Sequence, residues 1–379
     1  MTTRQILANA RIVLSDTVIE GALAIEDGRI AAILPGPSNG GEDLGGDYLL
    51  PGLVELHTDQ IEAHYHPRSG VTWHRMAAIQ AHDGQAATAG MTTVLDAMRI
   101  GTDENTRSDA DDVKALAAAI ETGVVEGRFR AEHRLHLRCE VSSDDVVDGF
   151  RKLMDAPRLT LVSLMDHAPG QRQFHDLGKL KTYLQTKFAM SDTDFEAYAN
   201  SRIAQSQRNA PPHRRTIADE CVRRGITLAS HDDATRAHVD ESAALGIQIA
   251  EFPTTIDAAR ASREAGMAIL MGAPNIVRGR SHSGNISALE LLDAGLLDIL
   301  SSDYVPFSLI QAVFALSDSG ALPLPAATRL ATAHPAAAVG LTDRGRIAAG
   351  LRADLVQIAH RSGEPPVVRR VWREGRRVA

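Results

Sequence analysis

Short apolar segments recur through the middle of the chain, and helix-like stretches lie between several of them. Each segment has the length of a buried strand rather than that of a buried helix. Strands that alternate with helices form parallel β/α units, and eight such units can close into a barrel. The pattern therefore predicts an α/β protein with a (β/α)8 TIM-like barrel, and a doubly wound open sheet is the alternative. The eight predicted strands are residues 53–56, 91–97, 135–141, 159–167, 226–232, 247–255, 267–275 and 297–304.

The two ends of the chain differ from this middle part, because they alternate short β-like runs with turns. An Asp-Gly pair at residues 27–28 separates two apolar runs, which is a hairpin signal, and a Glu-Gly pair at residues 374–375 has the same setting. We expect residues 1–50 and 345–379 to form one small β-sandwich domain beside a barrel of residues 51–344. Two unrelated β extensions are the alternative.

The charge balance of the chain disfavours some classes of partner. Lysine and arginine number 40 and aspartate and glutamate 48, so the net charge is 40 − 48 = −8. We therefore expect no nucleic-acid partner and no anionic membrane surface as the main partner. The sequence has no stretch of 18 uncharged apolar residues and no apolar signal-peptide run at its start, so we expect no membrane span.

Two further features bear on location and assembly. The cysteines are two, Cys139 and Cys221, which is typical of a protein in the reducing cytoplasm. The connection at residues 168–215 is long and polar. We expect it to add helices that cover the site or to form a contact in a homo-oligomer.

Polar residues collect after the predicted strands. His57 and Asp59 follow the first strand, and residues two apart on a strand project from the same side. An imidazole and a carboxylate at one point are what a divalent cation needs from its first two ligands, although a strand can end in His-x-Asp by chance. A charge at the end of a buried strand costs several kcal/mol unless it is paired or metal-bound. The other polar residues at strand ends are Asp96, Glu140, Asp166, His167, His231, Asp232, Asp233, Glu251, Ser302 and Asp303.

Each of these residues has an alternative role that involves no metal. Glu140 shares a strand face with Arg138, and the two could form an ion pair. His167 and His231 could be hydrogen-bonded core histidines. The aspartates at 166, 232 and 233 could cap helices. Structural or supporting roles are open for the remaining side chains, namely Asp96, Glu251, His133 and His136.

A loop rich in glycine and arginine follows the seventh predicted strand, at residues 272–285. Its glycines allow close backbone approach, and barrels often bind phosphate near strands seven and eight. The loop is therefore a candidate anion site, and a flexible surface loop is the alternative. The side chains that could donate hydrogen bonds are Arg278, Arg280, Ser281, His282 and Ser283 in this loop, Arg68 in the first long loop, and Gln171, Arg172 and Gln173 after the fourth strand.

Longer motifs add a resemblance to a known family. PGLVELHTD with a C-terminal GRIAAGLRADLV resembles the amidohydrolase superfamily of metal-dependent hydrolases. ELHTDQIEAHYHPRSGVTW, VSLMDHAPGQRQF, LASHDDATRAHV, MGAPNIVRGRSHSGN and ILSSDYVP resemble the alpha-D-ribose 1-methylphosphonate 5-triphosphate diphosphatase family of the carbon–phosphorus lyase pathway. This resemblance implies hydrolysis of a ribose 5-triphosphate, a small-molecule substrate, to the 5-phosphate and diphosphate.

The resemblance also implies a set of site residues. One or two divalent ions (zinc, manganese or iron) would be held by His57, Asp59, Glu140, His167 and His231, and Asp303 would accept the proton of the attacking water. The triphosphate would be bound by Arg68, Arg172, Arg278, Arg280, Ser281 and His282. The chain departs from the superfamily pattern, because His57-x-Asp59 replaces His-x-His and Asp166-His167 stands where a carboxylated lysine is usual. A deacetylase or cyclic amidase acting on a C–N bond is one alternative, and a metal-free scaffold protein is another.

Overall fold

The computed structural model describes residues 4–103, 106, 108–172, 191–281 and 284–379, and its strands form two sheets. The strands between residues 53 and 301 form a parallel sheet, and the remaining strands form a second, mainly antiparallel one. The strands are β1 (Arg4–Val13), β2 (Val18–Glu26), β3 (Arg29–Pro35), β4 (Glu42–Asp43), β5 (Tyr48–Pro51), β6 (Leu53–Thr58), β7 (Met91–Ile100), β8 (Glu132–Glu140), β9 (Leu159–Met165), β10 (Thr227–His231), β11 (Ile249–Glu251), β12 (Ala268–Gly272), β13 (Ile299–Ser301), β14 (Leu355–Ala359), β15 (Val367–Arg373) and β16 (Arg376–Arg377).

The parallel sheet is a nearly closed barrel. Each strand from β6 to β13 pairs with the next one along the chain, as right-handed β/α units require. Helices connect most neighbouring strands and cover the outer face, so the barrel strands are buried on both sides. The predicted (β/α)8 barrel is confirmed.

The helices begin where the sequence supplies capping side chains. Asp109 accepts hydrogen bonds from the backbone of the first turn of its helix, and Thr235 and Thr255 cap two later helices in the same way. Within the described ranges, no helix is both long and apolar enough to cross a lipid bilayer. The helices are α1 (Gln60–Tyr65), α2 (Arg75–Thr88), α3 (Ala110–Val125), α4 (Val146–Leu153), α5 (Asp192–Arg224), α6 (Arg236–Ala244), α7 (Ile256–Glu264), α8 (Ala273–Arg278), α9 (Ala288–Asp293), α10 (Ser308–Asp318), α11 (Leu324–Arg329) and α12 (Ala333–Ala338).

The seam between the first and last barrel strands places two predicted site residues side by side. The Asp303 N–H donates to the His57 carbonyl at 3.1 Å, and the Asp59 N–H donates to the Asp303 carbonyl at 3.3 Å. One side chain also spans the seam, because the Glu55 carboxylate accepts the backbone N–H of His57 and that of Ser302, each at 2.7 Å. Burial raises the pKa of Glu55 to about 7. The seam therefore holds His57 and Asp303 next to each other.

The barrel interior is apolar at one end and polar at the other. Aliphatic side chains from the barrel strands, such as Leu95, Leu161 and Ile299, pack with Ala336 of α12 in one cluster. Farther along the interior, the fully buried His136 ring lies 2.9 Å from the Leu56 carbonyl and 2.9 Å from Ser163 Oγ. Burial lowers the pKa of His136 to about 3, so this ring is neutral. His136 therefore lies between the apolar cluster and the polar residues of the barrel mouth.

The second sheet is built from both ends of the chain. Its strand order is β16-β15-β14-β5-β1-β2-β3, so β5 joins the N-terminal strands to the C-terminal ones. Asp27 and Gly28 turn between β2 and β3 with positive φ of 47° and 79°, and Glu374 and Gly375 turn between β15 and β16 with 50° and 70°. The predicted sheet from both ends is therefore confirmed. The division into domains at residues 50/51 and 344/345 stays a prediction.

Candidate metal centre

Two histidines at the barrel mouth are oriented by one buried glutamate. Glu251 ends β11, and its two carboxylate oxygens lie 3.1 Å from His57 Nδ1 and 3.2 Å from His231 Nδ1. Burial of the His57 ring would lower its pKa, but the negative charge of Glu251 outweighs this and raises the pKa to about 10. Because Nδ1 of each ring faces Glu251, Nε2 is the nitrogen left to coordinate a metal, an arrangement that recurs at metal-binding histidines.

A third histidine is oriented by Glu140 in the same way. His167 Nδ1 lies 2.6 Å from Glu140 Oε2, and the His167 backbone N–H donates to Glu140 Oε1 at 3.1 Å. Arg99 and Ser142 also donate to this carboxylate, at 3.0 and 2.7 Å. Burial alone would raise the pKa of Glu140, but His167 and Arg99 hold it well below its usual range. The predicted ligand Glu140 thus lies behind His167, and its direct binding to a metal stays a prediction.

The Nε2 atoms of the three rings face carboxylates. His57 Nε2 is 3.6 Å from Asp59 Oδ1, and His231 Nε2 is 3.5 Å from Asp232 Oδ2. His167 Nε2 also faces Asp232 Oδ2, at 3.9 Å. Among the described residues, two groupings that include these carboxylates have ligand atoms that all lie within 4.8 Å of one another: His57 with Asp59 and Asp303, and His167 with His231 and Asp232. A further grouping, His57 with His136 and Glu251, is completely buried.

This donor set fits a divalent transition metal. Three imidazole nitrogens and three carboxylates are ligands that zinc, manganese and iron accept. Asp232 Oδ2 is buried and has no hydrogen-bond partner among the described residues, which is costly for a carboxylate oxygen unless a cation binds it. The predicted ligands His57, Asp59, His167 and His231 are brought together. Asp232 joins them, and it does not cap α6, whose N-cap is Thr235.

Backbone strain marks the same strand ends. Asp232, Phe252 and Asp303 follow barrel strands and have positive φ of 58°, 54° and 54°. Such a conformation costs about 1–3 kcal/mol for a residue other than glycine, and it is concentrated at functional sites. Phe252 packs edge-on against the His57 and His231 rings, with centroid distances of 5.0 and 5.4 Å. These turns therefore direct the side chains of Asp232 and Asp303 into the barrel mouth and place the Phe252 ring beside the histidines.

An arginine also enters the centre. Arg138 on β8 donates from Nη1 to Asp59 Oδ1 at 2.6 Å, so it pairs with Asp59 rather than with Glu140, the partner that strand spacing offered. Burial would raise the pKa of Asp59, but Arg138 and His57 hold it well below its usual range. Burial has the larger effect on Asp303, and it raises the pKa of that residue to about 6. Asp303 is consequently the more basic of the two aspartates beside His57.

The centre opens into a cleft that meets the glycine- and arginine-rich loop. The cleft has a volume of about 280 Å³, and a second cleft of about 790 Å³ is lined by Arg278 and Arg280. Ser281 and Asn285 line both clefts, so the arginine loop adjoins the metal centre. His282 and Ser283 lie outside the described residues. The first cleft is lined by His57, Asp59, Arg138, His231, Asp232, Phe252, Pro253, Met271, Gly272, Asn275, Ser281, Asn285, Ile286, Asp303 and Tyr304.

Two predicted substrate ligands lie elsewhere. The Arg172 side chain is 3% exposed and forms ion pairs with Asp233 and Glu241. Burial lowers the pKa of Arg172 to about 10, and a contact with substrate would require these ion pairs to break. Arg68 is exposed in a turn closed by a hydrogen bond from the Val71 N–H to the Arg68 carbonyl at 3.1 Å. Substrate binding by Arg68 and Arg172 stays a prediction.

Asp96 belongs to a different polar cluster, between α2 and β8. Its carboxylate oxygens lie 2.8 Å from His82 Nε2 and 2.9 Å from His133 Nδ1, and all three side chains are buried. His133 Nε2 lies 3.3 Å from Asp83. Burial would lower the pKa of His133, but Asp96 and Asp83 raise it to about 9. The cluster ties a helix to the barrel wall and does not line the clefts described above.

Comparison with known proteins places the chain in a family. Residues 190–379 match the model of the amidohydrolase family. The alpha-D-ribose 1-methylphosphonate 5-triphosphate diphosphatase of Escherichia coli (strain K12) is 47% identical over 377 residues, which cover 98% of this chain and 100% of the relative. L-hydantoinase of Paenarthrobacter aurescens is 24% identical over 79% of this chain and 68% of its own length.

Solved structures show the same fold at low identity. The N-acetylglucosamine-6-phosphate deacetylase of Pasteurella multocida superposes with a TM-score of 0.64 at 15% identity, over 98% of this chain and 99% of the deacetylase. The near-complete match to the Escherichia coli protein extends beyond the barrel to both chain ends. The chain therefore belongs to the amidohydrolase family and, within it, to the family of the alpha-D-ribose 1-methylphosphonate 5-triphosphate diphosphatase.

Proposed function

We propose that this protein hydrolyses alpha-D-ribose 1-methylphosphonate 5-triphosphate to the 5-phosphate and diphosphate, in phosphonate catabolism. The observation that carries the proposal is the junction at Ser281 and Asn285 between the histidine and carboxylate centre and the cleft of Arg278 and Arg280. A triphosphate is long and highly charged, so it needs both a hydrolytic centre and arginine side chains in a cleft beside it. The Escherichia coli relative, at 47% identity, bears the name of this activity.

The metal ligands follow from the geometry of the centre. We assign one ion to His57, Asp59 and Asp303 and a second to His167, His231 and Asp232, with Glu251 and Glu140 orienting the imidazoles from behind. Divalent ions there would supply Lewis acidity toward water and phosphate oxygens. Zinc, manganese and iron all suit these donors.

Asp303 is the residue that accepts the proton of the attacking water. Its carboxylate lies with His57 and Asp59 in the first cleft, where it can take a proton from a water that a bound ion would acidify. Water adds to the phosphorus that is attached to the ribose 5-oxygen. The bond from that phosphorus to the bridging oxygen of the anhydride breaks, and diphosphate leaves. The proton held on Asp303 is then available to the leaving group or to solvent.

The arginine loop binds the part of the triphosphate that leaves. Arg278 ends α8, and its Nη1 lies 3.4 Å from the hydroxyl of Tyr304, which lines the metal cleft. Arg278, Arg280 and Ser281 would neutralise the phosphates that extend from the first cleft into the second. This cationic loop is the feature that an enzyme acting on an uncharged amide would not require.

Product analysis tests the type of bond that is cleaved. The protein loaded with zinc or manganese would be incubated in separate reactions with the ribose triphosphate, with N-acetylglucosamine 6-phosphate and with a hydantoin. We expect diphosphate release from the first and no amide hydrolysis in the others. Amide hydrolysis without diphosphate release would overturn the proposal and favour a deacetylase or cyclic amidase.

Location and assembly are part of the same proposal. Cys139 and Cys221 are both buried free thiols, which suits a cytoplasmic enzyme. We also propose a homo-oligomer, which light scattering of the purified protein would test.

A further inference from the structure

We propose that Arg138 is a substrate-binding residue inside the metal centre, where its guanidinium contacts an oxygen of the phosphoryl group under attack. The inference deepens the proposed function and rests on it. Arg138 is not among the arginines that the sequence assigned to the substrate, none of which lies on a barrel strand.

Arg138 differs from those arginines because it lies on a strand of the barrel. It is on β8, two residues before Glu140, and it lines the first cleft together with His57, His231 and Asp303. Among the described residues that line this cleft, Arg138 is the one lysine or arginine. Its side chain is 17% exposed, so the charged head is held in a fixed place and still has an accessible face. A rigid strand presents it more accurately than a loop would.

Among the described residues, one hydrogen bond engages the Arg138 guanidinium. A guanidinium carries five N–H donors in a planar fork, and the described residues satisfy Nη1 through Asp59 Oδ1 at 2.6 Å. Nε is buried without a hydrogen-bond partner in the same part of the chain. Burial would lower the pKa of Arg138, but the carboxylates around it, with Asp59 and Glu62 first among them, raise it, so the guanidinium stays charged in the cleft. Phosphoryl oxygens match the guanidinium fork in both charge and geometry.

The alternative is that Arg138 has a structural role and only positions Asp59. Both roles use the same ion pair, but they differ in what is lost when the charge is removed. A positioning role would act through the metal site, so the metal content would fall first. A substrate role would weaken the binding of polyphosphate while the metal content stayed the same.

The test therefore measures metal and polyphosphate separately. Arg138→Met removes the charge and keeps the length, Arg138→Lys keeps the charge without the fork, and Arg134→Met is the matched control. Arg134 is on the same strand but pairs with Glu132 and Thr160. Each purified variant would be assayed for bound zinc by elemental analysis, and for affinity toward inorganic triphosphate by titration calorimetry of the zinc-loaded protein.

We expect Arg138→Met to keep wild-type zinc content and to bind triphosphate about 10- to 100-fold more weakly, because a charge-assisted hydrogen bond is lost. Arg138→Lys should recover part of that loss, and it replaces the methionine variant if the latter does not fold. Arg134→Met should bind like the wild type. Unchanged triphosphate affinity in Arg138→Met, an equal loss in Arg134→Met, or a loss of zinc from Arg138→Met would each overturn the proposal. If the wild type released no diphosphate from the ribose triphosphate, the proposed function would fail, whereas the titration would still decide whether Arg138 binds phosphate.

Discussion

Replacing Glu251 by glutamine should weaken metal binding, because one of the two histidine rings that Glu251 contacts would lose its hydrogen-bond partner. The carboxylate faces Nδ1 of His57 at 3.1 Å and Nδ1 of His231 at 3.2 Å, and it is fully buried. Glutamine has one acceptor oxygen and one donor group. It can therefore orient one of the two rings, while its NH₂ group opposes the N–H of the other. That second ring must rotate or move its proton to Nε2, and in either case it stops being a good ligand.

The size of the effect follows from this count. Losing the outer partner of a metal-binding histidine costs about 10- to 100-fold in metal affinity, which is about 1.4 to 2.7 kcal/mol. Since one of two histidines loses its partner, we expect zinc affinity to fall by this factor for Glu251→Gln. The opposed donors should also lower the free energy of unfolding of the metal-free protein by about 1–3 kcal/mol.

The assay is titration calorimetry of zinc into the metal-free protein, with urea unfolding in parallel. Glu121→Gln is the matched control, because Glu121 pairs with Arg158 on the outside of the barrel, where the side chain is 35% exposed. The control should bind zinc like the wild type. Wild-type zinc affinity in Glu251→Gln would refute the role of Glu251 as the shared support of His57 and His231.

Three further predictions address the base, the arginine loop and the buried cluster. Asp303→Asn should lower kcat about 10²- to 10⁴-fold because the proton acceptor is lost; wild-type turnover with metal bound would show that the role is wrong. Arg278→Ala should raise the KM for the ribose triphosphate about 10-fold or more through loss of a phosphate contact, and an unchanged KM in steady-state kinetics would remove this residue from the substrate site. His133 has a pKa raised from 6.5 to about 9 by Asp96 and Asp83 against the effect of burial, so its contribution to the free energy of unfolding is complete below pH 6.5 and is lost as pH rises through 9. The difference in unfolding free energy between wild type and His133→Gln should therefore shrink from pH 6 to pH 9.5 in urea titrations, and a difference that grows would contradict the sign.

The fold could be predicted because its signals are local and repeated. Buried strands of a parallel barrel are short apolar runs, and the eight runs correspond to β6 through β13. The turns at residues 27–28 and 374–375 are also local signals, and both are hairpin corners in the structure. His57 and Asp59 lie side by side as predicted, with their ring nitrogen and carboxylate oxygen 3.6 Å apart, but Asp59 lies just beyond the end of β6, at the N-cap of α1.

The rest of the site depends on distances between strands, which no local pattern contains. Glu251 is 194 residues from His57 in sequence, and the closing of the barrel brings them to 3.1 Å. Spacing on β8 offered Glu140 as the partner of Arg138, but Asp59, which follows β6 two strands away in the sheet, pairs with it instead. Arg172 looked like a substrate ligand by its place after a strand. In the structure the Arg172 side chain is buried and forms ion pairs with Asp233 and Glu241. These partners offset the free-energy cost of burying its charge, and sequence position alone does not reveal them.

The most direct test of the proposed reaction is phosphorus NMR of the zinc- or manganese-loaded protein with alpha-D-ribose 1-methylphosphonate 5-triphosphate. We expect diphosphate and ribose 1-methylphosphonate 5-phosphate to appear together in equal amounts, because the arginine loop holds both leaving phosphates as one group. Successive release of orthophosphate would contradict this role of the loop. An unchanged spectrum, with metal confirmed in the protein, would contradict the assignment of the centre to phosphoanhydride hydrolysis.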